Sequence, residues 1–68
     1  MLPAMMTLKE QFSGEIEAFL TERGMSASRF GTLALNDPTF VFEIRKGRTV
    51  NVDIVDRVRR FMRDSEAA

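Results

Sequence analysis

Three basic residues, Arg45, Lys46 and Arg48, fall within four positions, and Thr49 follows them directly. Guanidinium, ammonium and hydroxyl groups all donate hydrogen bonds to phosphate oxygens. The chemistry that this cluster could perform is therefore the binding of a polyanion. Because the chain has 10 basic and 10 acidic residues and no net charge, such binding would depend on a local patch rather than on bulk charge.

Catalytic chemistry has little support in the sequence. The chain contains neither histidine nor cysteine, so the usual general base, the usual zinc ligands and any disulfide are missing. Glu15 and Glu17, the one close pair of carboxylates in the first half of the chain, fall on different faces of a helix. We therefore expect no enzyme activity, no metal, no cofactor and no small-molecule ligand.

A helix is predicted before the segment that carries the basic cluster. Ser26 is a good N-cap, and Phe30, Leu33 and Ala34 follow at the spacing that places one apolar stripe on a helix. This pattern predicts a helix over residues 27–35.

The basic cluster itself ends a second predicted helix. Asp37 can cap this helix, with Pro38 at its first position, where a proline costs no hydrogen bond. Gly47 suits the left-handed conformation that ends many helices. The pattern predicts a helix over 38–46, and the two helices with their tight turn form a helix-turn-helix motif over 26–47.

The first helix of the chain is predicted over 8–23. Thr7 and Glu10 have the spacing of a capping box, which predicts a helix start at this point. Gly14 costs about 1 kcal/mol in a helix interior, so a later start, at residues 11–13, stays open.

The last helix is predicted over 52–64, with Asn51 as its N-cap. Residues 1–6 and 65–68 are expected to be frayed, and nothing divides residues 1–68 into two domains. The expected fold is all-α, with four helices or five if a further short helix forms. The last helix is expected to carry a solvated face with salt-bridge pairs on Asp56, Arg59, Arg60 and Arg63.

Apolar residues at helical spacing predict a single core. Leu8, Phe12 and Ile16 begin the apolar face of the first helix, and Phe40 is more readily a core residue than a ligand contact. The residues that we expect to share the core are Phe19, Leu20, Phe30, Leu33, Val41, Ile44, Val58 and Phe61.

Over roughly residues 12–64, this arrangement resembles the Xre or Cro/cI-like family of bacterial and phage transcriptional regulators, which have a lambda-repressor-like fold. The positions that match the family pattern are the capping Ser26, the pair Phe30-Gly31, the core residues Val41 and Ile44, and the closing Gly47. The resemblance implies sequence-specific binding of double-stranded DNA, a recognition helix over 38–46 in the major groove, and a homodimer.

The chain departs from the family pattern at several positions, two of which lie in the first motif helix. Ala27 stands where many members have a glutamine that reaches a phosphate, so Ser28 or Arg29 would have to replace that contact. Leu35 stands where a glycine usually closes the first motif helix, so Asn36 is expected to take the left-handed conformation.

The resemblance also predicts the surface that meets DNA. By helical geometry the recognition helix presents Thr39, Phe42, Glu43 and Lys46 opposite its core residues, and the flanking basic residues would hold phosphates. The candidate DNA-binding residues are Ser28, Arg29, Thr39, Phe42, Glu43, Arg45, Lys46, Arg48 and Thr49.

Several of these residues have an alternative role. Glu43 could accept from cytosine N4 or pair with Lys46, and Thr39 could contact phosphate or a base edge, or cap its helix. Phe42 could touch thymine methyl groups, lie at the edge of the core or contact a protein.

A second function remains open on these grounds. The fold could serve as a protein-interaction module for RNA polymerase, a repressor or a toxin, with little DNA binding. In either case we expect a cytoplasmic protein, associated with the nucleoid when bound to DNA, because no signal peptide or membrane span is evident.

Overall fold

A computed structural model describes the backbone of residues 7–67 and the side chains of residues 7–65. This part of the chain forms four α-helices and no β-strand, as the predicted all-α class requires. The predicted fraying of residues 1–6 and of residue 68 lies outside the described residues. The helices are α1 (Leu8–Arg23), α2 (Ala27–Leu35), α3 (Phe40–Arg45) and α4 (Val52–Ala67).

Local capping defines both ends of α1. The Thr7 hydroxyl accepts from the Glu10 N–H at 3.1 Å, and the Glu10 carboxylate accepts from the Thr7 N–H, so the capping box is present. The alternative of a later start at residues 11–13 is therefore wrong, and Gly14 lies within the helix. Gly24 ends α1 in the left-handed conformation, with φ of 59°.

The turn between α2 and α3 differs in part from the prediction. Asn36 is left-handed as expected, with φ of 57°. Pro38 begins a turn instead of a helix, because the Asp37 carbonyl accepts from the Phe40 N–H at 3.2 Å and closes a four-residue turn. The predicted helix over 38–46 is therefore too long, since α3 begins only at Phe40 and ends at Arg45.

The end of α3 follows the predicted pattern. Gly47 has φ of 100°, and the Arg48 N–H donates to the Glu43 carbonyl at 3.0 Å, which satisfies one of the last carbonyls of the helix.

The last helix is longer than predicted. Asn51 caps α4 as expected, with its side-chain oxygen accepting from the Ile54 N–H at 2.9 Å. The helix then continues to Ala67, so the predicted end at residue 64 is wrong.

The core lies where the four helices meet. The rings of Phe19, Phe30 and Phe61, from α1, α2 and α4, contact one another with centroids 5.5 to 6.0 Å apart. Phe61 is half-buried at the edge of this cluster. The buried hydrophobic residues are Phe12, Ile16, Phe19, Leu20, Phe30, Phe40, Val41, Ile44, Val58 and Met62.

Two apolar residues that were expected on buried faces are exposed instead. Leu33 has 51% of its surface exposed, and Leu8 has 63%. The buried face of α2 passes through Phe30 and Gly31, which turns Leu33 outward. Leu8 lies at the first position of α1, where less of the fold covers it than covers Phe12.

Within residues 7–67, no helix has both the length and the apolar character that crossing a lipid bilayer would need.

Candidate functional site

The short helix α3 has one buried side and one exposed side. Phe40, Val41 and Ile44 are buried against the other helices. Thr39, just before the helix, and Phe42 and Lys46 are exposed. The core therefore holds α3 by its inner side, and its outer side is accessible to a macromolecular partner.

A close backbone approach positions α3 against α2. Gly31 is buried, and a Cβ atom at this position would lie 2.1 Å from the Asp37 carbonyl oxygen and 3.3 Å from Phe40 Cβ. The Asp37 N–H also donates to the Gly31 carbonyl at 3.0 Å. Glycine is therefore required at position 31 for the turn between α2 and α3 to pack directly on α2. The position of this turn determines where α3 begins.

Arg45 is held by a residue of α1. Its guanidinium donates from Nε and from a terminal nitrogen to the two carboxylate oxygens of Glu17, at 2.7 and 3.0 Å. This hydrogen bonding lowers the pKa of Glu17 and raises that of Arg45, so both groups remain charged. The predicted phosphate contact from Arg45 would thus have to compete with a carboxylate.

Arg48 has a looser acidic partner. Its guanidinium lies 3.8 Å from a carboxylate oxygen of Asp37. The Asp37 carboxylate accepts from the Thr39 hydroxyl at 2.8 Å and from the Thr39 N–H at 3.0 Å. These two hydrogen bonds, and then the charge of Arg48, lower the pKa of Asp37. Arg48 is therefore held less closely by its acidic partner than Arg45, the last residue of α3, is held by Glu17.

The structure bears on the alternative roles of the three residues that were predicted to meet base edges. Phe42 is 44% exposed and is not among the residues that pack against the core, and the Arg45 guanidinium lies 5.7 Å from its ring centroid. Glu43 is half-buried and forms no ion pair with Lys46, so the predicted intrahelical pair is absent. The Thr39 hydroxyl donates to Asp37, which leaves its oxygen able to accept hydrogen bonds but without a proton to donate.

The remaining candidates lie at two other places. Ser28 and Arg29 are exposed in the first turn of α2, where the Ser26 hydroxyl accepts from the Arg29 N–H at 3.1 Å. Thr49 is exposed after α3 and lines a small apolar groove with Leu8. The predicted DNA-binding residues thus form two groups. One group lies on α3 and the residues directly before and after it, and the other lies in the first turn of α2.

Sequence reasoning missed two residues next to α3. The Lys9 ammonium donates to the Gly47 carbonyl, although the two residues are 38 positions apart. Glu17 is 28 positions from Arg45. No local signal could have identified either contact, because each depends on how α1 packs beside α3.

A similar ion pair joins α1 to α4. The Arg59 guanidinium donates to both carboxylate oxygens of Glu15, each at 3.1 Å. Salt-bridge pairs were expected on this face of α4, and this one joins two helices. Its two side chains are exposed to about the same extent as those of Glu17 and Arg45.

Comparisons with known proteins add no family assignment, since no family model, no curated protein and no solved structure matches this chain at a significant level.

Proposed function

We propose that this chain is a sequence-specific regulator that binds double-stranded DNA through the major groove with the outer side of α3. The observation that carries the proposal is the orientation of α3, whose inner residues are buried while Thr39, Phe42 and Lys46 are exposed. A buried inner face and an exposed outer face that carries a hydroxyl and an ammonium group suit a reading helix, because the major groove admits an α-helix. The lambda-repressor-like type of helix-turn-helix and the Xre or Cro/cI-like relationship belong to the same proposal.

The charge distribution offers candidate phosphate contacts at the exit of α3 and at the start of α2. Lys46 and Arg48 follow the helix, and Arg29 is exposed at the start of α2. In this proposal these three residues, with Ser28 and Thr49, position the helix on the DNA backbone, while Thr39, Phe42 and Glu43 meet base edges.

A homodimer is part of the proposal. One module of this size makes few contacts, and two linked modules bind more tightly because the second docking step is intramolecular. Met62 is buried within a single chain, and Arg59 is bound to Glu15, so α4 offers a dimer contact mainly through its outer residues. Two reading helices on one side of the duplex would need half-sites about 34 Å apart.

Selection of bound sites from random duplex DNA with the purified protein tests this proposal directly. An enriched inverted repeat with half-sites one helical turn apart is the expected result. Sedimentation of the complex on that site should give two chains per duplex. A selection without enrichment, together with binding that does not depend on salt, would refute the proposed function.

Mutations should then separate phosphate contacts from base contacts. Lys46→Gln and Arg48→Gln should each weaken binding to every duplex and reduce the salt dependence by about one unit. Thr39→Ala or Glu43→Gln should instead change the preference at one base pair. Arg60→Gln removes an exposed charge from α4 and is the matched control.

A second candidate function is a protein-interaction module. Two large apolar side chains, Leu33 on α2 and Phe42 on α3, are exposed, and acidic residues pair with two arginines near α3. Such a surface would suit a protein partner such as RNA polymerase, a repressor or a toxin. Salt discriminates the two functions, because DNA binding weakens steeply as salt rises and an apolar contact does not.

A further inference from the structure

We propose that Glu17 is an intramolecular competitor of the DNA phosphate for Arg45, and that it lowers the affinity of the α3 surface for any duplex. This inference rests on the proposed function, since it concerns how that surface meets DNA.

The Glu17–Arg45 ion pair has the geometry of an arginine bound to phosphate. Arg45 presents two parallel N–H donors to Glu17, at 2.7 and 3.0 Å. Two-bond binding of this kind is also how an arginine binds a phosphate. The carboxylate therefore occupies the donors that a phosphate would need, and a phosphate contact requires that Glu17 leave or share them.

The Glu17–Arg45 ion pair also lies next to the other basic residues of the cluster. Arg45 is the last residue of α3, directly before Lys46 and close in sequence to Arg48. Glu17 thus places a full negative charge at the end of the helix where the basic cluster begins. Because the chain as a whole has no net charge, it has no overall positive charge to attract the DNA backbone in spite of this carboxylate.

The other acidic partner in this region is a weaker candidate. Asp37 lies 3.8 Å from Arg48 and makes a single contact with it. The Asp37 carboxylate is also engaged by Thr39, which ties it to the turn before α3. Glu17 is therefore the residue whose removal should release an arginine for phosphate.

The chain offers a matched control for this test. Glu15 forms the same two-bond pair with Arg59, on the side of α1 that faces α4. Glu15→Gln and Glu17→Gln change the net charge equally and break ion pairs of similar exposure. Only Glu17→Gln releases a donor next to α3.

The experiment measures the affinity of wild type and both variants for a random-sequence duplex over a range of salt. One additional phosphate contact has a salt slope of about 0.9 units, which corresponds to up to about eightfold tighter binding at 0.1 M salt. We expect this gain in Glu17→Gln and no comparable gain in Glu15→Gln. In an Arg45→Gln background the gain from Glu17→Gln should vanish.

Two results would overturn the inference. The first is a Glu17→Gln variant that binds no more tightly than wild type, with helix content by circular dichroism showing that it is folded. The second is an equal gain in both glutamine variants, which would reveal a general charge effect. If the wild type itself shows no salt-dependent DNA binding, the proposed function has failed, and that outcome is distinct from these two.

Discussion

Replacing Gly31 with alanine should destabilise this domain, although alanine is the better helix former. A Cβ atom at this position would lie 2.1 Å from the Asp37 carbonyl oxygen, a backbone atom that no rotamer change can move away. The turn would have to retreat by about 1 Å, and overpacking of this kind typically costs about 1 to 3 kcal/mol. The retreat also disturbs the hydrogen bond from the Asp37 N–H to the Gly31 carbonyl, which contributes about 1 kcal/mol.

The intrinsic helix preference of alanine offsets about 1 kcal/mol of this cost. The free energy of unfolding of Gly31→Ala should therefore fall by about 1 to 3 kcal/mol, and each kcal/mol lowers Tm by about 4 to 8 °C in a domain of this size. Urea unfolding followed by far-ultraviolet circular dichroism measures the change. Because α3 begins at this turn, the proposed DNA binding by α3 should weaken as well.

Gly14 provides the matched control for this prediction. It also lies inside a helix, but an added Cβ would meet nothing within 4 Å. Gly14→Ala should therefore stabilise the domain by about 0.5 to 1 kcal/mol, from helix preference alone. A Gly31→Ala variant as stable as Gly14→Ala would refute the close approach of the turn to α2.

Three further predictions follow from burial and charge. Ile44→Ala should lower the free energy of unfolding by about 2 to 4 kcal/mol, since its side chain is buried, whereas Val52→Ala, at an exposed position, should change it by less than about 0.5 kcal/mol in urea unfolding. Lys9→Met should lower it by about 0.5 to 1 kcal/mol, because the Gly47 carbonyl loses a charged donor at an exposed site, and an unchanged Tm would contradict this role. Hydrogen bonding to Arg45 lowers the pKa of Glu17 below its ordinary 4.5, so the pair stabilises the fold above that pH and loses its effect as pH falls through the lowered value. Melting curves of wild type and Glu17→Gln should therefore differ at neutral pH and converge in acid, and a difference that grows in acid would show that the sign is wrong.

Local signals in the sequence predicted the helix ends that depend on local contacts. Thr7 and Glu10 cap α1 through each other, and Gly47 takes the predicted left-handed conformation after α3. Asn36 takes the same conformation after α2, as the missing glycine at Leu35 suggested. These features need only neighbours in the chain, so a pattern of residue types was sufficient.

The start of α3 shows where such signals become ambiguous. An aspartate before a proline can cap a helix or close a turn, and in both cases its carboxylate accepts from the Thr39 N–H. The length of the helix then depends on where the turn meets Gly31, which is a tertiary contact. The prediction therefore placed the start of the helix two residues too early, at residue 38 instead of Phe40.

The candidate site depended even more on tertiary contacts. Spacing alone placed the basic cluster at the exit of α3, and the structure agrees. It could not reveal that Glu17 would bind Arg45, or that Lys9 would reach Gly47, because both partners lie on α1. The prediction that Leu33 lies in the core is wrong for the same reason. Helical spacing from Phe30 does not show which face of α2 the other helices will cover.

The contact among Phe19, Phe30 and Phe61 determines how the folding of this chain can be observed. The chain contains neither tryptophan nor tyrosine, so it lacks the usual intrinsic fluorescent reporter. Each of the three rings lies near the edge or face of the other two, with interplanar angles of 57° to 86°. Their ring currents should shift one another's proton resonances, and all of those shifts should disappear when α1, α2 and α4 separate from one another. A one-dimensional proton NMR spectrum of the aromatic region would then report the assembly of three helices with no added label.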